Sequence, residues 1–166
     1  MAINVTKPSV NLREKLNELD YAKVPFQKMP AGSVLQVVNA TYNTFSSTLS
    51  TTYVDSGLTA TITPSSASSK ILVLGNLNGI WLASAASYLK TRVIRDTTGL
   101  TEFAGAAGYS ASGGASAEST GTNQLDSPNT TSAVTYKIQV MTATGAQVGW
   151  CNNQSLSSIT LMEIAQ

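Results

Sequence analysis

The sequence predicts a mainly β protein: an antiparallel jelly roll or β-sandwich of about eight or nine strands, preceded by an extended N-terminal arm with one short helix. After residue 30, apolar and polar residues alternate in short runs, and turn-forming residues separate the runs. The charge density also changes there, because residues 1–30 hold 8 of the 19 charged residues and the other 136 residues hold 11. We therefore divide the chain into an arm, 1–30, and a β-sandwich head, 31–166.

The arm contains the helix signal. Asn11 can cap a helix, and Glu14 three residues later completes a capping-box pattern. Leucines then recur at the i, i+4 and i+7 spacing of one helical face, which predicts a helix over 12–20. A helix this short is marginal alone in water, so its leucines must pack against something. That surface is either the head of the same chain or a partner, and the extended flanks favour an anchoring arm. The candidate anchoring residues are Leu12, Arg13, Lys15, Leu16 and Leu19.

The head reads as a series of strands. Residues 58–63 alternate Leu, Ala and Ile with Thr, which is typical of a half-buried strand. Residues 70–74 form a continuous apolar run, which predicts a strand covered on both faces, and 76–82 extend it. The remaining predicted strands are 34–39, 88–95, 134–141, 147–151 and 158–164. Short strands at this spacing, with turn signals between them, indicate a sandwich or jelly roll.

One stretch departs from this pattern. Residues 105–121 are almost all Gly, Ala, Ser and Thr, too poor in large apolar side chains for a core strand. We expect a long surface loop, or a weak strand flanked by loops. Long loops on a β scaffold often carry function, so Tyr109, Gly113 and Gly114 are candidates for ligand contact, although a mobile loop without a partner fits equally well.

The composition excludes several kinds of chemistry. The chain has no histidine, so it can hold neither a Ser-His-Asp triad nor a His-ligated zinc site. Its single cysteine, Cys151, allows no intrachain disulfide and is expected to be a buried free thiol. The carboxylates after residue 30 form no close sequence pair, so we assign no catalytic residue, metal or cofactor and expect no enzyme. A net charge of +1 gives no basic field for nucleic acid.

No sequence feature indicates a membrane protein. No run of 18 apolar residues occurs, and residues 1–20 lack the apolar core of a signal peptide. We therefore expect no membrane partner and synthesis in a cytoplasm.

The hydroxyl-rich composition favours contact between subunits. The chain has 21 Ser and 21 Thr, whose short side chains lose little rotamer entropy when buried. This indicates a homo-oligomer. Four apolar residues are either ordinary core or an intersubunit seam: Ile80, Trp81, Leu82 and Trp150.

A small basic cluster lies on one predicted strand. It consists of Lys90, Arg92 and Arg95, and on a strand Lys90 and Arg92 share a face. A solvated sheet face is the ordinary interpretation. The alternatives are contact with an acidic glycan or with a neighbouring subunit's carboxylate.

Three phrases of the sequence resemble a family of bacteriophage virion proteins that is frequent in phages of cyanobacteria and other aquatic bacteria. They are MPAGSVLQVVNATY, YVDSGLTATITPSSASSKILVLGNLNG and SSITLMEIAQ, which lie within 29–82 and 157–166. The most specific part is the turn TPSSASSK followed by the strand ILV. Residues 83–156 match only in general character, and the leader INVTKPSVNLREKLNELD looks like a virion-attachment segment.

Members of this family are usually described as tail-fibre, head-fibre or capsid-decoration proteins. The resemblance implies a homotrimer of jelly-roll heads, similar in outline to tumour-necrosis-factor-like heads. It leaves two functions open. One is a capsid decoration, or cement, protein that binds the major capsid protein on the outer surface of the virion. The other is a fibre or adhesin that binds the host cell surface, for instance a glycan. The 30 residues before the head suffice for an anchor and are short for a stalk, which favours decoration.

Overall fold

A computed structural model describes residues 13, 14, 16, 17, 25, 28–84, 87–107 and 114–166, without the side chains of 104–107 and 114–117. The mainly β prediction is confirmed, since these residues form antiparallel sheets stacked as a sandwich. The strands are β1 (Val34–Tyr42), β2 (Ser46–Thr48), β3 (Val54–Ile62), β4 (Lys70–Leu82), β5 (Leu89–Arg95), β6 (Thr98–Ala107), β7 (Gly114–Asp126), β8 (Val134–Thr142), β9 (Val148–Trp150) and β10 (Ser157–Ile164). A 3-10 turn, Asn152–Gln154, joins β9 to β10.

Two sheets form the layers. The six-stranded sheet has the order β1-β10-β4-β9-β2, and β7 pairs with β4 along its other edge. The four-stranded sheet has the order β3-β8-β5-β6. β4 is the central strand of the larger sheet, because β10 pairs with its first half, β9 with its last residues and β7 with nearly its whole length.

Alternation along the strands creates the core between the sheets. In β8, Val134, Tyr136, Ile138 and Val140 are buried, while the residues between them are partly exposed. In β3, Leu58, Ala60 and Ile62 face inward and the threonines face solvent. Except for Val140, which packs in a second cluster, these side chains meet Ile71 and Val73 of β4 and Ile159 and Leu161 of β10 in one apolar cluster. Burial of such faces is the main favourable term for folding.

The expectation that 70–74 is covered on both faces is wrong. Ile71 and Val73 are fully buried, whereas Leu72 and Leu74 are partly exposed on the outer face of the sheet. Runs 70–74 and 76–82 also form one strand. A bulge at Gly79 bends it, and the positive φ there, +64°, suits glycine because an added Cβ would lie 2.7 Å from the Asn152 nitrogen.

Polar groups link the two sheets. Arg95 of β5 forms an ion pair with Asp126 of β7, with 2.6 Å between Nη1 and Oδ2. The buried Tyr136 hydroxyl donates to the same Asp126 oxygen at 2.7 Å. Burial opposes the Arg95 charge, but Asp126 outweighs it, and the Arg95 pKa is raised. Burial and the Asp126 carboxylate also raise the pKa of Tyr136, which therefore stays protonated as a donor.

Of the two expectations for stretch 105–121, the described residues fit the weak strand and not one long loop. Residues 105–107 end β6, and 114–121 begin β7, which pairs with β4. Gly and Ser there can join the sheet because pairing uses the backbone, and the apolar content comes from β4. β2 and β6 were not among the predicted strands, and the described residues form ten strands in all.

Candidate assembly interface

The outer faces of the two sheets have opposite chemistry. On the four-stranded sheet, Asp55 accepts hydrogen bonds from Lys137 Nζ and Gln139 Nε2, both at 2.7 Å. Arg92 Nε donates to Gln139 Oε1 at 2.9 Å. The bonds from Lys137 and Gln139 lower the pKa of Asp55 below its ordinary value. This face is a charged, hydrogen-bonded surface.

The outer face of the six-stranded sheet carries an apolar row. Strand register places Val37 opposite Met162, Met162 opposite Leu72, and Leu72 opposite Leu125. The four side chains therefore cross β1, β10, β4 and β7 at one level. Val37 and Leu125 at the two ends are 55% and 50% exposed. We call these four residues the apolar row.

The two levels on one side of the apolar row carry no charge. The next level holds Asn39, Thr160, Leu74 and Asn123, and the one after it holds Thr41, Ser158, Asn76 and Gly121. Asn39 Nδ2 donates to Thr160 Oγ1 at 2.8 Å. Because Gly121 has no side chain, a depression of about 450 Å³ opens above it. On the other side of the row, the adjacent level holds Val34, Ile164 and Lys70, so one cation borders the row there.

An aromatic pair lies at the far end of β4. Phe45 and Trp81 meet edge to face, with 6.2 Å between ring centroids. The Phe45 ring covers Gly149, which pairs with Trp81 in the sheet; a Cβ there would lie 2.9 Å from the ring. Phe45 itself is half-exposed. Aromatic side chains of this kind are enriched at protein interfaces.

Exposed apolar side chains concentrate on this side of the described head. Among its large apolar residues, those that are exposed lie in strands of the six-stranded sheet or in the loops beside them, and none lies in a strand of the four-stranded sheet. They are Val34, Val37, Phe45, Leu49, Leu125 and Leu156. Contiguous exposed apolar surface marks interaction sites in soluble proteins.

Glu163 holds several parts of the head together by hydrogen bonds, near the point where the arm joins the head. Its carboxylate is fully buried and accepts bonds from Gln36 Nε2 at 2.6 Å, from the Ser65 backbone nitrogen at 2.7 Å and from Ser65 Oγ at 3.1 Å. Burial raises the Glu163 pKa, but these hydrogen bonds outweigh it, and the pKa lies below its ordinary value. The turn after β3 and strand β10 both belong to the segments that carry the resemblance, and the Glu163 carboxylate therefore connects them.

The predicted helix is described only in part. Arg13, Glu14, Leu16 and Asn17 are helical and exposed, and Leu16 is 59% exposed. Leu12, Lys15 and Leu19 lie outside the described residues. Directly after the arm, Gly32 N donates to the Ala165 carbonyl and Ala165 N donates to the Ser33 carbonyl, each at 2.9 Å, which joins the start of the head to the residue that follows β10.

Three of the four seam candidates belong to the chain's own core. Ile80, Leu82 and Trp150 are buried in one apolar cluster with Cys151, so they offer almost no surface to a second copy. Trp150 Nε1 donates to the Ser56 carbonyl at 2.8 Å, which satisfies the buried indole. Trp81 has the opposite orientation and is partly exposed. In the apolar row, the side chains that are more than half or about half exposed are instead those of Val37 and Leu125, which the sequence reasoning did not select.

The other candidates are placed as follows. Tyr109 and Gly113 lie outside the described residues, and Gly114 begins β7. Cys151 is a buried free thiol, as predicted, and burial raises its pKa. Of the basic cluster, Arg95 is paired with Asp126.

Two further searches concern the described residues alone. No helix there is both long enough and apolar enough to cross a membrane. No three acidic or cysteine side chains in these parts of the chain approach each other as metal ligands would.

Comparison with known proteins identifies a shared fold. No family model and no curated protein matches the sequence. The structure of the VP2 subviral particle of infectious bursal disease virus aligns with 80% of this chain and 34% of its own, at 14% identity and a TM-score of 0.50. The structure of the Gx strain of that virus aligns with 78% of this chain and 32% of its own, at 17% identity and a TM-score of 0.46. This chain thus spans about a third of the length of the chains it matches, and the likeness to the subviral-particle protein is one of fold.

Proposed function

We propose that this protein is a structural component of a bacteriophage virion: a homotrimeric decoration protein on the outer capsid surface, made in the cytoplasm of its bacterial host. The observation that carries the proposal is the apolar row on the outer face of the six-stranded sheet, which is followed by two uncharged levels. The sandwich fold, shared with the protein of a viral particle, and the sequence resemblance in 29–82 and 157–166 are consistent with it. The proposal involves no catalytic step.

The occupant we assign to this face is another copy of the chain. The face extends over the eight residues of β10 in one direction and over the four strands β1, β10, β4 and β7 in the other. At about 3.4 Å per residue and about 4.8 Å between strands, it measures about 27 Å by 19 Å, on the order of 500 Å². Protruding side chains and the Phe45–Trp81 pair add to this area and bring it toward the roughly 800 Å² that each partner buries in a stable interface.

Charge argues against other occupants of this face. The apolar row and the two levels on its Asn39 side hold no cation, and the level on the other side holds Lys70. A single lysine offers little to an anionic lipid surface or to nucleic acid, which are bound by clusters of cations. In a trimer each copy would pack this face against a different surface of the next copy, and a face with so little charge can do so at a low cost of burying ions.

The arm would hold the trimer on the shell. It leaves the head beside β1, an edge strand, where Gly32 pairs with Ala165. We assign Leu12, Leu16 and Leu19 to contact with the major capsid protein, with Arg13 and Lys15 beside them. Three arms on one trimer bind together far more tightly than a single arm, because the second and third contacts are intramolecular.

The assembly test measures the mass of the full chain in solution. The wild type should have three times the 17.3 kDa of one chain. Leu125→Asp places a charge in the apolar row and should give the mass of a monomer. The matched control is Thr61→Asp, an exposed strand position on the four-stranded sheet, which should stay trimeric. A monomeric wild type at micromolar concentration, or an unchanged Leu125→Asp trimer, contradicts the assigned interface.

The anchor test measures co-sedimentation with capsids that lack the protein. In the full chain, Leu16→Asp should abolish binding, because it interrupts the leucine stripe. Asn17→Asp introduces the same charge one residue away, on the polar side of the helix, and should bind normally. Equal binding of both variants would show that the stripe is not the anchor.

A fibre or adhesin function is the alternative, and the charged face of the four-stranded sheet favours it. A head that binds hosts should attach saturably to host cells without other virion components. Saturable attachment together with failure to decorate capsids would replace the decoration proposal with this one.

A further inference from the structure

The cations of the four-stranded sheet differ in their partners. Lys137 forms an ion pair with Asp55, and Arg95 forms one with Asp126. In the described part of the chain, no carboxylate lies within ion-pair distance of Arg92. Its cross-strand neighbour in register is Glu102, yet the two side chains form no ion pair. Arg92 is therefore a partly buried guanidinium without a counter-ion among these residues.

The Arg92 side chain is nevertheless fixed in place. Its Nε donates to Gln139, which is held in turn by Asp55. The guanidinium carbon lies 4.2 Å from the centroid of the Tyr53 ring, a cation–π contact that covers one face of the group. The remaining N–H groups of the fork have no hydrogen-bond partner in the described structure. Such a pre-oriented fork matches the two oxygens of a carboxylate.

A cavity opens beside this fork. It has a volume of about 230 Å³ and is lined by Arg92, Gly99, Leu100, Thr101 and Glu102. Gly99 leaves room there, since even an added Cβ would stay 3.7 Å from Arg92 Nη1. The volume is below the roughly 300–1,000 Å³ of sites for drug-sized ligands, so it suits a ligand the size of one sugar ring.

The lining restricts the chemistry of the ligand. Thr101 supplies a hydroxyl, and Glu102 is exposed and supplies oxygens that accept bonds from ligand hydroxyls. The Glu102 carboxylate repels any anion, and it repels a doubly charged phosphate or sulfate more than the singly charged carboxylate of a sugar acid. One carboxylate for Arg92 and several hydroxyls for Glu102 and Thr101 together describe a sugar acid.

We propose that the cavity between Arg92 and Glu102 binds the carboxylate and hydroxyls of an acidic saccharide, such as a uronic acid residue. Arg92 binds the carboxylate in bidentate fashion, and Lys90, two residues away on the same strand face, adds positive potential. The proposal does not depend on the trimer, because the site belongs to one chain and faces away from the apolar row.

The test is calorimetric or NMR titration of the full chain with D-glucuronate. We expect saturable binding with a Kd on the order of 1 mM, as suits a small polar ligand. D-glucose lacks the carboxylate and acetate lacks the hydroxyls, so each should bind at least tenfold more weakly. Equal affinity for acetate overturns the saccharide assignment, and equal affinity for glucose overturns the role of Arg92.

Two variants test the site from different directions. Arg92→Gln removes the fork, and Gly99→Leu fills the cavity without changing charge; each should raise the Kd at least tenfold. Lys70→Gln removes one cation from the other sheet and should leave the Kd unchanged. If Arg92→Gln does not fold, as judged by circular dichroism, Gly99→Leu decides alone. Absence of glucuronate binding by the wild type, or unchanged binding by Gly99→Leu, refutes the proposal.

Discussion

Replacing Glu163 by Gln should destabilise the head by about 2–4 kcal/mol, although the two side chains have nearly the same shape. The carboxylate accepts three hydrogen bonds, from Gln36 and from the backbone and side chain of Ser65. A glutamine has one oxygen, so one buried donor would face an NH₂ group. A hydrogen bond to a charged group contributes about 1.5–3 kcal/mol, and the bonds that remain would fall to the roughly 1 kcal/mol of neutral pairs.

Thermal unfolding followed by circular dichroism measures this loss. For a chain of this length, 1 kcal/mol shifts Tm by about 2–4 °C, so Glu163→Gln should melt about 4–16 °C below the wild type. Glu102→Gln is the matched control, because Glu102 is exposed, and its Tm should stay within about 2 °C. A Glu163→Gln variant that melts with the wild type would show that the three hydrogen bonds contribute nothing net.

The remaining predictions concern pH, packing and the thiol. The Glu163 pKa is lowered in the folded state from an ordinary value of 4.5, so the contribution of Glu163 to stability is full above about pH 4.5 and is lost as the pH falls through the folded pKa. The Tm difference between wild type and Glu163→Gln should therefore shrink on acidification. A constant Tm difference would contradict the assignment. Gly75→Ala should cost about 1–3 kcal/mol in urea unfolding, since its Cβ would lie 2.6 Å from Ile138 Cδ1 in the core, whereas Gly99→Ala, with 3.7 Å to its nearest neighbour, should cost less than about 0.5 kcal/mol. Cys151 should react with a thiol reagent only in denaturant, because it is buried with a raised pKa, and Cys151→Ser should keep the wild-type mass in solution; rapid labelling of the folded chain would refute this.

Side-chain alternation made much of the fold predictable. In residues 58–62 of β3 and 134–140 of β8 every second residue is apolar, and those residues are the buried ones. β7 was not predictable in this way, because Leu125 is its only large apolar residue and its other side chains are small or polar. It becomes a strand through backbone hydrogen bonds to β4, and no residue of β7 itself predicts that pairing.

Parity along a strand carried information that the sequence reasoning did not use. In β4 this parity does not extend past the bulge at Gly79: Ile71, Val73 and Leu77 point inward before it, and Ile80 and Leu82 point inward after it, which leaves Trp81 outward. Glu163 continues the inward series of Ile159 and Leu161 in β10. A charged residue at a core position is unusual and indicates a buried partner, so this site had a signal in the sequence.

The apolar row could not be predicted from the sequence, because it depends on register between distant strands. Val37, Leu72, Leu125 and Met162 are single outward apolar residues, each ordinary in its own strand. A shift of one residue in any pairing would turn that strand's side chains to the other face and break the row. Only the observed pairings place the four side chains on one level.

The hydrogen bonds of Glu163 connect two of the segments that carry the resemblance with the strand that follows the proposed anchor. Its carboxylate joins the turn at Ser65 to Gln36 of β1, the strand that follows the arm directly. Two residues further on, Ala165 forms the backbone bonds to Gly32 and Ser33. Force applied through an anchored arm would therefore enter the head at β1, beside a buried charged network and not at a frayed end. A protein that must stay attached to a shell needs this junction to be strong, whereas a free monomer does not, so the junction supports an arm that bears load.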